Sequence, residues 1–316
     1  MDINSESIVK AEGLSIGYET DEGILWAVKE VSFEVLKTSV FCIVGESGSG
    51  KTTLGNAISG LLPPYVLTQG YLVVDNIVVI NNDKNNLKAA RGIAVRIPQN
   101  PSSALNPYLK VRALFEDVMK SKAKNVSKAE VREAIVKYLS IMQLDEEVLE
   151  LYPYQLSGGM AQRVAIALAL AAKPRIIVAD EPTSNLDAYL RSSVGSLLKR
   201  LIEFGITVIV ITHDIVFASH VCNYIVVMYG GRVVEVGKVE EVLSQPLHPY
   251  TMLLIEAATL KKVFTNSMRV SAIEGVGESG CVYKSKCPYR VNTCQAVPLL
   301  KYVSKTHGVA CWRAVT

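Results

Sequence analysis

The 316-residue chain contains no apolar run long enough to cross a bilayer. Its longest candidate, Val164 to Ala172, stops at Lys173-Pro174. With 49% apolar residues and a mean hydropathy of +0.26, that apolar content is expected to build a packed core. The opening residues MDINSESIVK lack a basic stretch followed by an apolar one, so no secretory leader is expected and the chain is expected in the cytosol. No long basic run is present, which argues against nucleic acid as a partner. No C-x2–4-C pair exists, which removes the usual zinc-ribbon spacing. Internal repeats and low-complexity segments are also missing, which excludes solenoids and linkers. At 20% charged residues the chain is not of the disordered class.

Charge and cysteine are unevenly spread. The net charge of +3 divides into −4 over residues 1–260 and +7 over residues 261–316. The basic tail holds four of the six cysteines: Cys281, Cys287, Cys294 and Cys311. Cys42 and Cys222 lie in apolar, strand-like runs and are expected to be small core residues. In a cytosolic chain a four-cysteine cluster points to a metal or cluster before disulfides.

Alternating residues at Ile8 to Tyr18 and Leu25 to Val35, around a Thr20–Gly23 turn, predict an antiparallel pair. Tyr71 to Val74 and Ile77 to Ile80 predict a hairpin around Asp75-Asn76. The continuous apolar runs Val40–Val44, Ile176–Ala179 and Thr207–Ile211 predict strands buried on both faces. Tyr224–Met228 and Arg232–Val236 predict a last hairpin at Gly230-Gly231. Residues 107–155 have helical periodicity and read as a helical insertion, followed by a helix from Ser157 to Ala172 with Ser157 as its cap. Strands alternating with helices predict a mostly parallel sheet with an antiparallel annex.

Gly45-Glu46-Ser47-Gly48-Ser49-Gly50-Lys51-Thr52 follows directly on the strand ending at Val44 and fits G-x-x-x-x-G-K-[ST]. Glycines let backbone N–H groups turn inward around phosphate oxygens, and the helix starting near Lys51 adds its positive end. Lys51 suits the β- and γ-phosphates, and Thr52 suits Mg²⁺. A second apolar strand delivers Asp180, a Mg²⁺ ligand, and Glu181, a general base for water, to the same sheet edge. His213 ends a third strand, where a γ-phosphate contact is possible beside the commoner structural role. Gln99 follows the Val95 to Ile97 run and by itself carries little information.

Leu156-Ser157-Gly158-Gly159-Met160-Ala161-Gln162-Arg163 narrows the class. It resembles the signature motif of the ATP-binding cassette ATPases, and the motifs stand in that family's order over roughly residues 7–240. The resemblance implies an α/β fold: a P-loop NTPase (RecA-like), mostly parallel core, an antiparallel β subdomain, a helical signature subdomain (about 100–172) and a small Cys-rich extension. It divides the chain at 1–240 and 241–316. It implies ATP contacts from Tyr18 (adenine stacking), Gly45, Ser47, Gly48, Ser49, Gly50, Lys51, Thr52, Thr53 and Gln99. From the opposite subunit of a head-to-tail pair it implies contacts by Ser157, Gly158, Gly159 and Asp187. Mg²⁺ falls to Thr52, Gln99 and Asp180, and catalysis to Glu181, His213 and Lys51.

A narrower resemblance is to the oligopeptide/dipeptide importer ATPases, carried by Asn106-Pro107, Leu247-His248-Pro249-Tyr250-Thr251 and the cysteine tail. It implies two membrane permease subunits, an extracytoplasmic solute-binding protein and a location at the cytoplasmic face of the membrane. Met160 in the signature is similar to one of two paired ATPases, which implies a heterodimer. Pro98, Asn100 and Asn185 stand where the family usually has an aromatic, an Asp and a small residue. The cysteine spacing, x5, x6 and x16, leaves an iron–sulfur cluster, zinc, or unligated thiols or a disulfide open, with Cys287-Pro288 similar to cluster-binding loops. Relatives of this type carry a [4Fe–4S] cluster there, which the resemblance implies for Cys281, Cys287, Cys294 and Cys311. Rival readings are a soluble cassette ATPase of DNA repair or translation, an ATP-binding module without turnover, or an importer of oligosaccharides or nickel chelates.

Overall fold

The computed structural model describes residues 7–79, 84–122, 127–184, 186–259 and 280–314. Ile80, Asn185 and the 261–279 part of the basic tail lie outside the described residues. The long strands β1 (Ser7–Thr20) and β2 (Gly23–Leu36) pair antiparallel, with Thr20 Oγ1 donating to Gly23 O at 2.7 Å across the turn. After β3 (Val40–Val44) and α1 (Lys51–Ile58), β4 (Val66–Val74) returns along β1 and turns into β5 (Ile77–Val78). Asp75 and Asn76 both have positive φ, 48° and 68°, which a type I′ hairpin turn requires and which Asp and Asn tolerate. These four strands form the antiparallel annex, in the order β2-β1-β4-β5.

Next come α2 (Lys84–Ile93) and β6 (Ala94–Ile97), then the helices α3 (Pro101–Ala104), α4 (Val111–Lys122), α5 (Lys128–Ile141) and α6 (Gly158–Ala171). Ser127 and Glu130 close a capping box on α5, and Ser157 caps α6 by accepting from Met160 N–H. The chain then alternates through β7 (Ile176–Asp180), α7 (Ala188–Arg200), β8 (Thr207–Thr212), α8 (Ile215–Val221) and β9 (Tyr224–Tyr229). It finishes with β10 (Arg232–Lys238), α9 (Val239–Ser244), α10 (Pro249–Thr259), β11 (Lys301–Tyr302) and β12 (Gly308–Val309).

The larger sheet has the order β11-β12-β10-β9-β3-β8-β7-β6, parallel from β9 through β6 and antiparallel beyond β9. β3, β7 and β8 are buried on both faces, as their apolar runs require, whereas the edge strand β6 is half-buried at Val95 and Arg96. Val40, Cys42 and Val44 of β3 face one core with α4 to α8, whereas Phe41 and Ile43 face the other with α1 and the annex. Phe33 stacks on Phe41 at 5.7 Å, joining the two sheets. The loops that follow β3, β6, β7 and β8 therefore open at one sheet edge, and the candidate site lies there.

One cysteine expectation is corrected. Cys42 is fully buried, but it is bonded to Cys222, with their Cα atoms 5.9 Å apart. Cys222 caps the C-terminus of α8 and does not sit in a strand. The helix-facing side of β3 packs on that helix end, a proximity that a separation of 180 residues conceals.

The cysteine tail is docked onto this core. Its β12 adds to the edge of β10, pairing Val309 with Glu235. Glu235 is completely buried, and its carboxylate accepts from Leu247 N–H (2.8 Å) and His248 N–H (2.9 Å), with His307 Nε2 at 2.7 Å. Such a carboxylate is tolerable in a core only with this many partners. His248 is 1% exposed, and its Nδ1 accepts from Tyr250 N–H at 3.1 Å, so the neutral ring acts as a cap for α10.

Burial pushes the His248 imidazole down from 6.5 to about 3. Its contribution to stability is fully present above pH 6.5 and is lost as pH falls toward 3, by about 1.4 kcal/mol per pH unit. Thermal unfolding compared at pH 7.5 and 5.5 should show a larger drop for the wild type than for His248→Asn, which caps without titrating. Equal drops would remove His248 as the cause.

Candidate functional site

The phosphate loop is shaped by glycine at the positions where backbone approaches backbone. A Cβ on Gly45 would stand 2.2 Å from Met228 O, and one on Gly50 would stand 2.2 Å from Ala27 O. Gly50 also has a φ of +95°, which favours glycine. The loop is thus wedged between β9 and β2 before it enters α1. Lys51 is buried at that helix start, and its Nζ donates to Gly45 O and Glu46 O, both at 2.8 Å. Burial lowers its pKa, while the Glu181, Asp180 and Glu46 carboxylates work in the opposite direction. Ser49 Oγ is buried with no hydrogen-bond partner, an orphaned group beside the bed a phosphate would fill.

Thr52 is exposed at the first turn of α1, and Thr53 Oγ1 lies 3.3 Å from the Tyr18 hydroxyl. The annex strand β1 therefore brings Tyr18 to the helix that carries the phosphate loop. Asp180 is buried at the end of β7 and forms an ion pair with Arg96 of β6. Arg96 escaped the sequence reading: a cation inside an apolar run is a weak signal until its partner is known. Its Nε remains buried without a hydrogen-bond partner.

Glu181 leaves β7 with a positive φ of 46°, uncommon for a residue with a side chain. Its N–H is anchored to Ile211 O at 2.8 Å, and Ser184 Oγ donates to its carbonyl at 3.0 Å. One carboxylate oxygen, Oε1, meets His213 Nδ1 at 2.8 Å, and Oε2 is 3.4 Å from Thr212 Oγ1. The structure thus brings Lys51, Asp180, Glu181 and His213 to one sheet edge. Gln99 is exposed at the end of β6, and its carbonyl accepts weakly from Ser184 Oγ at 3.4 Å.

Ser157 and Gly158 are exposed at the tip of α6, while Gly159 packs against Leu190 of α7 and Gly158 lies near Leu186. Asp187 caps α7 by accepting from Leu190 N–H at 2.9 Å. These residues form their own cluster, and none of the hydrogen bonds they make reaches the phosphate loop.

In the tail, all four cysteines are unpaired. Burial raises the thiols of Cys281 and Cys311, and that of Cys287 to about 11. Backbone N–H groups oppose this, those of Tyr283 and Lys284 at Cys281, Tyr289 at Cys287, and Arg313 and Ala314 at Cys311. Among the described residues, no group of three or more His, Cys, Asp or Glu side chains stands in a metal-holding arrangement. No described helix is long and apolar enough to cross a membrane.

The family described as "ABC transporter" matches residues 28–184, and "Oligopeptide/dipeptide transporter, C-terminal region" matches residues 234–294. The chain is 34% identical to the dipeptide transport ATP-binding protein DppD of Bacillus subtilis, over 97% of this chain and 95% of that protein. It is 32% identical to the oligopeptide transport ATP-binding protein OppD of Escherichia coli, over 98% and 94% respectively. Among solved structures it resembles the dimeric post-hydrolysis state of the ATP-binding cassette MJ0796 bound to ADP and Pi. That likeness has a TM-score of 0.65 and 34% identity, covering 73% of this chain and 98% of that one.

Proposed function

The chain belongs to the ABC transporter ATPases of the oligopeptide/dipeptide type, and on that premise we propose how its own residues do the work. It is an ATP-hydrolysing subunit of an importer of oligopeptides or dipeptides. The observation that carries the residue assignments is the convergence of Lys51, Asp180, Glu181 and His213 at the open ends of β3, β7 and β8. ATP binding draws Lys51 Nζ from the Gly45 and Glu46 carbonyls to the β- and γ-phosphates. Gly48, Gly50 and the first N–H groups of α1 hold the phosphate oxygens, and Ser49 Oγ gains a partner. Tyr18 stacks on the adenine, with Ser47 and Thr53 lining its phosphate side.

Thr52, Asp180 and Gln99 would hold Mg²⁺, which supplies charge neutralisation at the phosphates. The donor set is all oxygen, as that ion prefers, and Asp180 would exchange Arg96 for it. Glu181 accepts the proton of the attacking water, with Oε1 held by His213 and Oε2 only in a long contact with the Thr212 hydroxyl. His213 thereby holds the base and faces the γ-phosphate. Ser157, Gly158, Gly159 and Asp187 make no such contact in their own chain and complete the site of an opposing subunit. The active form is a head-to-tail ATPase pair, a heterodimer with a sister subunit by the reading of Met160. It works at the cytoplasmic face of the membrane with two permease subunits and an extracytoplasmic solute-binding protein. The likeness to a dimeric cassette supports the pairing.

The reading of the tail rests on its donor chemistry, four unpaired cysteines of which three receive backbone N–H groups, in a segment rich in Lys and Arg, and not on their arrangement, which forms no metal-holding group among the described residues. Cys281, Cys287, Cys294 and Cys311 would hold a [4Fe–4S] cluster, with zinc as the alternative, and the group would act as a structural clip.

Glu181→Gln should retain ATP binding and lose turnover by about 10²- to 10⁴-fold, the usual worth of a general base. Near-normal hydrolysis would remove Glu181 from that role. Anaerobically purified protein should be brown, with about four irons and four sulfides per chain, as a [4Fe–4S] cluster demands. Stoichiometric zinc without iron would favour the alternative.

A further inference from the structure

The first residue after the phosphate-loop glycine is tied to the far end of the chain. Glu46 N–H donates to the Tyr250 hydroxyl at 2.9 Å, across 204 positions. Tyr250 is 2% exposed, in the first turn of α10, and its ring is locked in an aromatic cluster. Tyr229 of β9 lies 4.6 Å from it and Tyr283 lies 5.6 Å from it, while Tyr283 meets Tyr229 edge-on at 5.1 Å. Tyr283 is buried between Cys281 and Cys287 in the tail. Lys286, from the same tail loop, stands 5.6 Å over the Tyr229 ring. The tail thus reaches the phosphate loop through two packed rings and one hydrogen bond.

That bond acts at a sensitive point. The carbonyl side of Glu46 is held by Lys51 Nζ, and Ser49 N–H donates to the same oxygen at 3.2 Å. When Lys51 turns to phosphate, its hold on Glu46 is lost, and the Tyr250 hydroxyl remains on the N–H side. Burial keeps the Tyr250 phenol protonated, because it raises the pKa well above the ordinary value. An ionised phenolate, with its altered geometry, therefore does not form at working pH.

We propose that Tyr250 is a positioning residue for nucleotide binding: it fixes the entry of the phosphate loop, and Tyr283 of the cysteine tail fixes Tyr250. The proposal rests on the ATP-binding reading and gives the tail a task beyond clipping itself together. Tyr250→Phe keeps the ring and removes only the hydroxyl. Tyr283→Leu loosens the ring that buttresses it.

The test is ATP-dependent turnover of the full-length chain in its assembled transporter, with KM for ATP and kcat measured separately. Tyr250→Phe should raise KM about 3- to 10-fold, the range one net hydrogen bond gives, with a much smaller change in kcat. Tyr283→Leu should move KM in the same direction. The double variant should be no worse than the more affected single one, since both act through one contact. Unchanged KM in Tyr250→Phe, or strictly additive effects in the double variant, overturns the proposal. A purely structural role would lower kcat through lost active protein and leave KM alone, which also overturns it. A wild-type transporter that does not hydrolyse ATP would instead sink the underlying functional reading, so the two failures are distinguishable.

Discussion

The whole site depends on how closely the loop after β3 runs to its neighbours' backbones. At Gly45 and Gly50 the loop approaches the carbonyls of Met228 and Ala27 within a distance that no side chain permits. This contact sets the direction in which the loop's N–H groups point and delivers Lys51 to the start of α1. It also welds the parallel core to the annex, because Ala27 belongs to β2 and Met228 to β9. An open phosphate bed and a rigid frame are thus consequences of one close approach. The strained backbone of Glu181 nearby follows the same logic, since it takes a left-handed φ to present its carboxylate to that bed.

The core explains why these loops keep their places. Residues of β3, β7 and β8 are fully buried, so both faces of each strand are clamped between helices and annex. Burying each such side chain is worth about 1.5–3 kcal/mol, which leaves the strand ends little freedom to drift. The helical segment carrying Ser157 is joined to this frame through Gly159 against Leu190 and through the cap at Asp187. That linkage makes the signature tip and the Asp187 turn one surface, suited to meeting another subunit together.

Much of this was legible in the sequence because the signals were local. The phosphate loop, the Asp180-Glu181 strand end, the Ser157 cap and the Asp75-Asn76 turn each depend on residues a few positions apart. What escaped were partnerships across long separations. Arg96 reads as an odd cation in a strand until Asp180 is placed beside it. Cys42 and Cys222 read as small apolar residues until β3 and α8 are packed. Tyr250 stands out only as part of a motif, without a partner, and neither Tyr283 nor Glu235 carries a local signal. Only the docking of the tail on β10 brings the tyrosines together and buries the carboxylate.

The close approach at Gly50 is the claim on which the rest stands, and nucleotide affinity reports it most directly. Gly50 and Gly48 both have positive φ, but a Cβ at Gly48 meets nothing within 4 Å, whereas one at Gly50 overlaps Ala27 O. Mg-ATP titrations of Gly50→Ala and Gly48→Ala separate the overlap from the strain that both share. The account predicts that Gly50→Ala binds Mg-ATP weaker by about tenfold or more, consistent with ~1–3 kcal/mol for overpacking, and clearly weaker than Gly48→Ala. Equal affinities in the two variants would contradict it.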